Sequence, residues 1–250
     1  MQIVGYDSLD GALFISNERS LERVSLRPGE ELEYSLGVRR CAGTIDGDRH
    51  LECDRDGTPY CEFHTDRWVC ARCTGSCLKD EMDCYDDHAI YLAAFAPDRF
   101  KVGVTKEWRL LDRLREQGAD RAAHVRTVEN GRIAREIEAE RSRTVPVPDR
   151  VRVPDKLDGL HRSVDTDAWE SLLSSFDPIE TYRFDYGFDL DDRPVGETIA
   201  SGTVRGTQGR LLVLDRGGST YGVDMRSLVG YEVETGRSDR RLQSSFAAFE

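Results

Sequence analysis

Residues 88–119, HAIYLAAFAPDRFKVGVTKEWRLLDRLREQGA, decide how this chain folds. Ala89 to Phe95 form an apolar run that ends at Pro97, and Phe100 to Val104 form a second. Short apolar runs bounded by turn residues are strand signals, and Asp98-Arg99 between them suit a turn, so the pair predicts a β-hairpin. Thr105 offers a hydroxyl N-cap, Leu110, Leu111 and Leu114 share one helical face, and Gly118 is a stop, so a helix is predicted next. Residues 130–141, NGRIAREIEAER, predict another, opened by Asn130-Gly131, with Ile133 and Ile137 one turn apart and Glu138 beside them. The predicted order is hairpin, helix, helix. The predicted class is α+β, with a small antiparallel sheet and flanking helices.

That order and the residues in it resemble the GIY-YIG endonuclease superfamily. Ala89-Ile90-Tyr91 stands where that family has its first tripeptide, and Lys101-Val102-Gly103 where it has the second. Arg113, in an Arg-Leu pair on the first helix, matches the family's phosphate-facing arginine, and Glu138 matches its metal-binding glutamate. The resemblance implies Mg²⁺-dependent cleavage of a phosphodiester in DNA or RNA. In it Tyr91 would orient or deprotonate water, Arg113 would neutralise the phosphate and Glu138 would hold Mg²⁺. Lys101, Lys106 and Arg109 would lie near the phosphates. The sequence departs from the pattern in three places: Lys101 replaces an aromatic, the loop before Arg113 is longer than usual, and the interval from Arg113 to Glu138 is short. A lysine there contacts phosphate but does not share the work of a tyrosine hydroxyl. The second functional reading is therefore a non-catalytic zinc-binding module that binds nucleic acid or a protein partner.

All seven cysteines lie between residues 41 and 84, among them Cys61-x2-His64 and Cys70-x2-Cys73-x3-Cys77. Apolar residues are sparse there, so something other than a core must hold the segment together. Close-set thiols with a nearby imidazole reach tetrahedral ligand positions, and the odd cysteine count argues against a disulfide framework. Seven cysteines and His64 provide ligands for two closed, structural Zn²⁺ sites. One is assigned to Cys41, Cys53, Cys61 and His64, the other to Cys70, Cys73, Cys77 and Cys84. An interleaved pairing is equally compatible with the spacing, and His50 and His88 are spare candidates.

The flanks are read more coarsely. Residues 1–40 predict β strands at Gln2 to Tyr6, Ala12 to Ser16 and Glu31 to Val38, followed by the Cys-rich segment 41–87 and the hairpin-and-helix region 88–145. In 146–195, the sequence up to Lys156 is read as an extended, proline-rich connector. Asp165 to Phe176 then predict an amphipathic helix with Trp169, Leu172, Leu173 and Phe176 on one stripe and Asp167 and Glu170 as a capping box. Tyr182, Phe184, Tyr186 and Phe188 alternate, which places four aromatics on one strand face, packed on Trp169 and Phe176 or free to stack bases. Residues 196–250 predict three or four strands with an Arg216-Gly217-Gly218 hairpin, completed into one sheet by the N-terminal strands, and a C-terminal SSFAAFE that docks a short helix or is loose. Over most of its length the chain resembles a prokaryotic family of unknown function, DUF2797.

Asp and Glu total 47 against 35 Lys and Arg, a net charge of −12, and lysine occurs only at 79, 101, 106 and 156. Such acidic, lysine-poor composition resembles that of proteins from salt-in halophiles. With a Debye length of ~3 Å at 1 M salt, net charge says little about partners. The N-terminus has neither a basic region nor an apolar one, and no apolar run approaches a membrane span, so a cytoplasmic, membrane-free protein is expected.

Overall fold

A computed structural model describes residues 1–17, 20–65, 85–144 and 147–236. Six strands come first: β1 (Gln2–Asp7), β2 (Ala12–Asn17), β3 (Ser20–Ser25), β4 (Glu31–Arg39), β5 (Thr44–Asp46) and β6 (Arg49–Leu51). Next are β7 (His88–Phe95), β8 (Arg99–Lys106), α1 (Leu110–Gln117), β9 (Arg121–Val128), α2 (Gly131–Thr144), α3 (Val153–Gly159), α4 (Thr166–Leu173) and β10 (Glu180–Arg183). The chain closes with β11 (Val195–Gly196), β12 (Ala200–Gln208), β13 (Leu211–Arg216), β14 (Ser219–Asp224), α5 (Met225–Leu228) and β15 (Tyr231–Thr235). These elements divide into two units, residues 1–66 with 186–250, and residues 67–185.

In the first unit the two ends of the chain share one sheet, in the order β11-β14-β13-β12-β4-β15-β1-β2-β3-β6-β5. The N-terminal β4 lies between the C-terminal β12 and β15, both antiparallel to it. Ile3, Leu13 and Ile15 from one end of that order share a buried cluster with Leu212, Leu214 and Val223 from the other, so the sheet curls around a single core. The predicted glycine hairpin is present: Arg216 pairs with Ser219 across Gly217 and Gly218, both at positive φ, as a two-residue turn with the strands' own twist requires. β3, absent from the sequence reading, pairs along β2. Its sequence, Ser-Leu-Glu-Arg-Val-Ser, is too polar to announce a strand.

In the second unit an antiparallel sheet runs β10-β9-β7-β8. Its interior strand β7 is buried on both faces, which explains the unbroken apolar AIYLAAF. Ala89, Tyr91, Ala93 and Phe95 pack against Leu110 and Leu114 of α1. Ile90, Leu92 and Ala94, on the opposite face, pack with Ala134 of α2 and Trp169 of α4. The sequence reading of hairpin, helix, helix omitted β9. Arg121-Ala-Ala-His lacks β-branched residues, and its strand state comes from pairing with β7 and β10.

Several local expectations are corrected. Thr105 remains within β8, and a 3-10 turn, Glu107–Arg109, leads into α1, which does end at Gly118 in the left-handed conformation. Asp165, not Asp167, caps α4, its carboxylate accepting from the Ala168 N–H at 3.0 Å. The connector is not extended throughout, because Pro154 opens α3, where a missing N–H costs nothing. The four alternating aromatics do not share a strand face: β10 ends at Arg183, and Tyr182 and Phe184 join the Tyr91 cluster while Trp169 and Phe176 belong to the opposite one. Phe188 lies instead beside Gly206 in the first unit. Among the described residues no helix is long and apolar enough to cross a membrane. The C-terminal SSFAAFE and Cys70, Cys73, Cys77 and Cys84 lie outside the described residues.

Trp169 is 4 % exposed and its ring meets Phe100 at 5.7 Å. Trp169→Ala is expected to cost about 3–5 kcal/mol in urea unfolding. A loss below about 1 kcal/mol would show that α4 does not pack on the sheet as described.

Candidate metal centre

Cys41 follows β4, so the sheet fixes the first ligand. The β5–β6 hairpin then turns the chain back towards Cys53, with Ile45 opposite His50. Gly43, at φ +64°, makes that reversal possible, because a side chain there would collide with the Leu51 carbonyl. Cys61 and His64 lie on one turn, whose backbone is closed by the His64 and Thr65 N–H groups donating to the Cys61 carbonyl at 3.0 and 2.8 Å. Below the loop, Ala42 packs with Val4 and Val229, and its N–H donates to the Pro59 carbonyl at 2.8 Å.

The result is that Cys41, Cys53, Cys61 and His64 place one ligand atom each within 4.8 Å of all the others, and form a possible metal-binding site. Cys53 Sγ is 3.9 Å from Cys61 Sγ, and His64 Nδ1 is 3.4 Å from Cys41 Sγ and 3.3 Å from Cys61 Sγ. A Zn²⁺ ion with bonds of ~2.3 Å to sulfur and ~2.05 Å to nitrogen defines a tetrahedron with edges of about 3.8 Å (S–S) and about 3.6 Å (S–N). These three distances are within a few tenths of an ångström of the corresponding zinc edges. The backbone supports thiolates as well: the N–H groups of Gly43 and Cys61 donate to Cys41 Sγ at 3.4 and 3.2 Å. Desolvation raises the Cys41 thiol. Desolvation also opposes charge at Cys61, but the Phe63 and His64 N–H groups and hydrogen bonds with Cys41 and His64 outweigh it and bring that thiol down to about 6.

His50, a spare candidate in the sequence, is committed elsewhere. Its Nε2 lies 2.7 Å from the Ala42 carbonyl and so donates, while Nδ1 is 2.8 Å from Ser16 Oγ. It ties the hairpin to β2. His88, the other spare, bonds through Nδ1 to the Asp86 carbonyl at 2.7 Å.

In the second unit the residues singled out by sequence divide between two faces of the sheet. Tyr91 pairs with Gly103, whose missing side chain makes room for it: a Cβ there would come within 2.6 Å of the Tyr91 ring carbon and hydroxyl. The Tyr91 hydroxyl accepts from Gln117 Nε2 at 2.6 Å, and the Lys101 ammonium is 5.9 Å from its ring centroid. Tyr91 is 1 % exposed. Arg113 is on the same helix as Gln117, but its guanidinium bonds Glu116 at 3.1 Å, as does that of Arg109 at 2.6 Å. Lys106 pairs with Asp86 at 2.8 Å. Glu138 sits on α2, which packs through Ala134 on the Ile90–Leu92–Ala94 face, and its carboxylate pairs with Arg135 at 2.6 Å.

Two partners were missed by sequence reasoning. Gln117 is the group that occupies the Tyr91 hydroxyl. His124, 6 % exposed, stands directly opposite Tyr91 on β9, with Nε2 3.1 Å from Thr127 Oγ1, and the Thr127 hydroxyl donates to Glu107 at 2.9 Å. Reading 121–128 as a strand would have exposed the second, since alternation then sets His124 beside Tyr91.

A family model described as a protein of unknown function, DUF2797, matches residues 61–233. The matched region begins at Cys61 and spans the whole four-stranded sheet, while Cys41 and Cys53 precede it. No curated protein and no solved structure matches the chain.

The protein as purified is expected to carry zinc, and Cys61→Ser to carry about one ion fewer, because a closed site does not tolerate loss of a thiolate. His50→Ala should retain the full metal content. Elemental analysis decides: equal zinc in wild type and Cys61→Ser would rule out this tetrad.

Proposed function

The chain belongs to the DUF2797 family, and from that premise we propose that it is a zinc-stabilised protein that binds nucleic acid through a GIY-YIG-like second unit. The observation that carries the zinc half is the match between the ligand spacings and a zinc tetrahedron. All four ligand positions are filled by protein groups, so the ion is structural, fixing the loop rather than activating water. Loss of the ion should loosen the loop around Cys53, Cys61 and His64, because so little apolar surface is buried there.

The nucleic-acid half is supported by the grouping of Lys101, Tyr91 and Gly103 on the α1 face, with Arg109 and Arg113 on the adjoining turn and helix. All four lysines of this acidic chain fall within residues 67–185. Binding suits the geometry better than cleavage. A tyrosine that is 1 % exposed and whose hydroxyl already accepts from Gln117 is poorly placed to orient or deprotonate a water. Glu138, the residue the resemblance assigns to Mg²⁺, carries a guanidinium at 2.6 Å, and a fixed cation there disfavours a second one.

The test uses labelled single- and double-stranded DNA and RNA, at low and at molar KCl, with and without Mg²⁺. Wild type should retain nucleic acid without cutting it, and Lys101→Glu should weaken retention and reduce the salt slope by about 1. Mg²⁺-dependent cutting that disappears in Glu138→Ala would establish a nuclease instead. Absence of retention on every substrate, with zinc content intact, would overturn the nucleic-acid half alone.

A further inference from the structure

The face of the second sheet turned away from Tyr91 holds a cavity of about 410 Å³ that is lined neither by the metal tetrad nor by Tyr91, Lys101, Arg113 or Glu138. That size falls in the range of small-molecule sites, roughly 300–1,000 Å³, and suits one nucleotide better than a strand. Its floor is apolar, formed by Ile90, Val102 and Val125 from three neighbouring strands and by Ile137 from α2.

A β-bulge shapes the rim. On β9, Arg126 pairs with Ile90 and His124 with Tyr91, which leaves Val125 as an extra residue between them. Bulges re-aim side chains and recur beside binding sites. Here the bulge places Arg126 on the Ile90 face, at the cavity, and the His124 ring closes it by lying 3.2 Å from the Arg126 carbonyl. A second guanidinium, that of Arg141, lies over the Phe176 ring at 5.6 Å from its centroid, so a ring and a cation are presented together. Ser174 and Ser175 also line the cavity, and the Ser174 hydroxyl donates to the Ser171 carbonyl at 2.7 Å. One carboxylate, Asp177, completes the wall.

Each feature narrows the ligand. Two guanidiniums and a hydroxyl suit a tetrahedral dianion, since a guanidinium fork matches phosphate oxygens. An apolar floor beside an aromatic ring suits a flat organic body. Asp177, an acceptor, suits a ligand hydroxyl or amino group. We propose that this cavity is a binding site for an aromatic phosphate monoester of the nucleoside monophosphate class. It does not depend on the metal centre or on binding of a nucleic-acid strand.

The experiment is titration of the full-length, zinc-loaded protein with adenosine 5′-monophosphate, adenosine and inorganic phosphate, followed by amide chemical shifts and calorimetry. The monophosphate should shift the amides of 125–127 and 174–177, and both halves supplied separately should bind at least tenfold more weakly. Arg126 and Ser175 are exposed, so Arg126→Glu and Ser175→Glu leave the fold intact while placing a negative charge against the phosphate. Each should weaken binding tenfold or more, and Arg162→Glu, outside the cavity, should leave it unchanged. No response to millimolar adenosine monophosphate, or equal affinity in wild type and Arg126→Glu, would overturn the assignment.

Discussion

Three sulfur atoms and an imidazole nitrogen crowded within 4.8 Å are the constraint on which residues 41–65 depend. Few side chains of that segment are buried, among them Cys41, Ala42, His50 and Cys61. Without a cation, three thiolates at such spacing repel one another; with Zn²⁺ they become the strongest cross-link available to the segment, since structural zinc contributes about 10–16 kcal/mol in small peptides. The rest of the loop serves that arrangement. Gly43 allows the reversal after Cys41, His50 pins the hairpin to β2, and backbone N–H groups of Gly43 and Cys61 point at the Cys41 sulfur.

A different economy governs the second unit, whose order comes from β7 being buried on both faces. Strand alternation sends Tyr91 towards α1 and Ile90 towards α2, and the two helices thereby acquire different neighbours. Arg113 and Glu138 are consequently carried by helices on opposite sides of the sheet. This separation weighs against their joint action on one phosphate. On one side lie Lys101 and the Tyr91 ring over Gly103; on the other the bulge at Val125 turns Arg126 towards a cavity.

The sequence was most legible where one residue type satisfies one local demand. Gly217-Gly218 was legible as a turn, AIYLAAF as a strand, and the cysteines with His64 as metal ligands, although their spacing left the grouping of Cys41, Cys53, Cys61 and His64 to be decided by the fold. It was least legible where pairing decides the outcome. Arg121 to His124 are in a strand because β7 and β10 hold them, not because these residues prefer one. The aromatic alternation from Tyr182 to Phe188 ran past the end of β10, so periodicity promised a common face that the backbone does not provide. Gln117, on α1, and His124, across the sheet on β9, escaped notice for the same reason: each matters through Tyr91, which is distant in sequence, and such a partner leaves no local trace.

X-ray absorption at the zinc edge tests the account most directly, on a full-length variant with serine at positions 70, 73, 77 and 84 so that one ligand group remains. The predicted shell is three sulfurs at about 2.3 Å and one nitrogen at about 2.0 Å. A shell dominated by oxygen or nitrogen, or a variant that binds no zinc, would contradict the claim that Cys41, Cys53, Cys61 and His64 hold the ion.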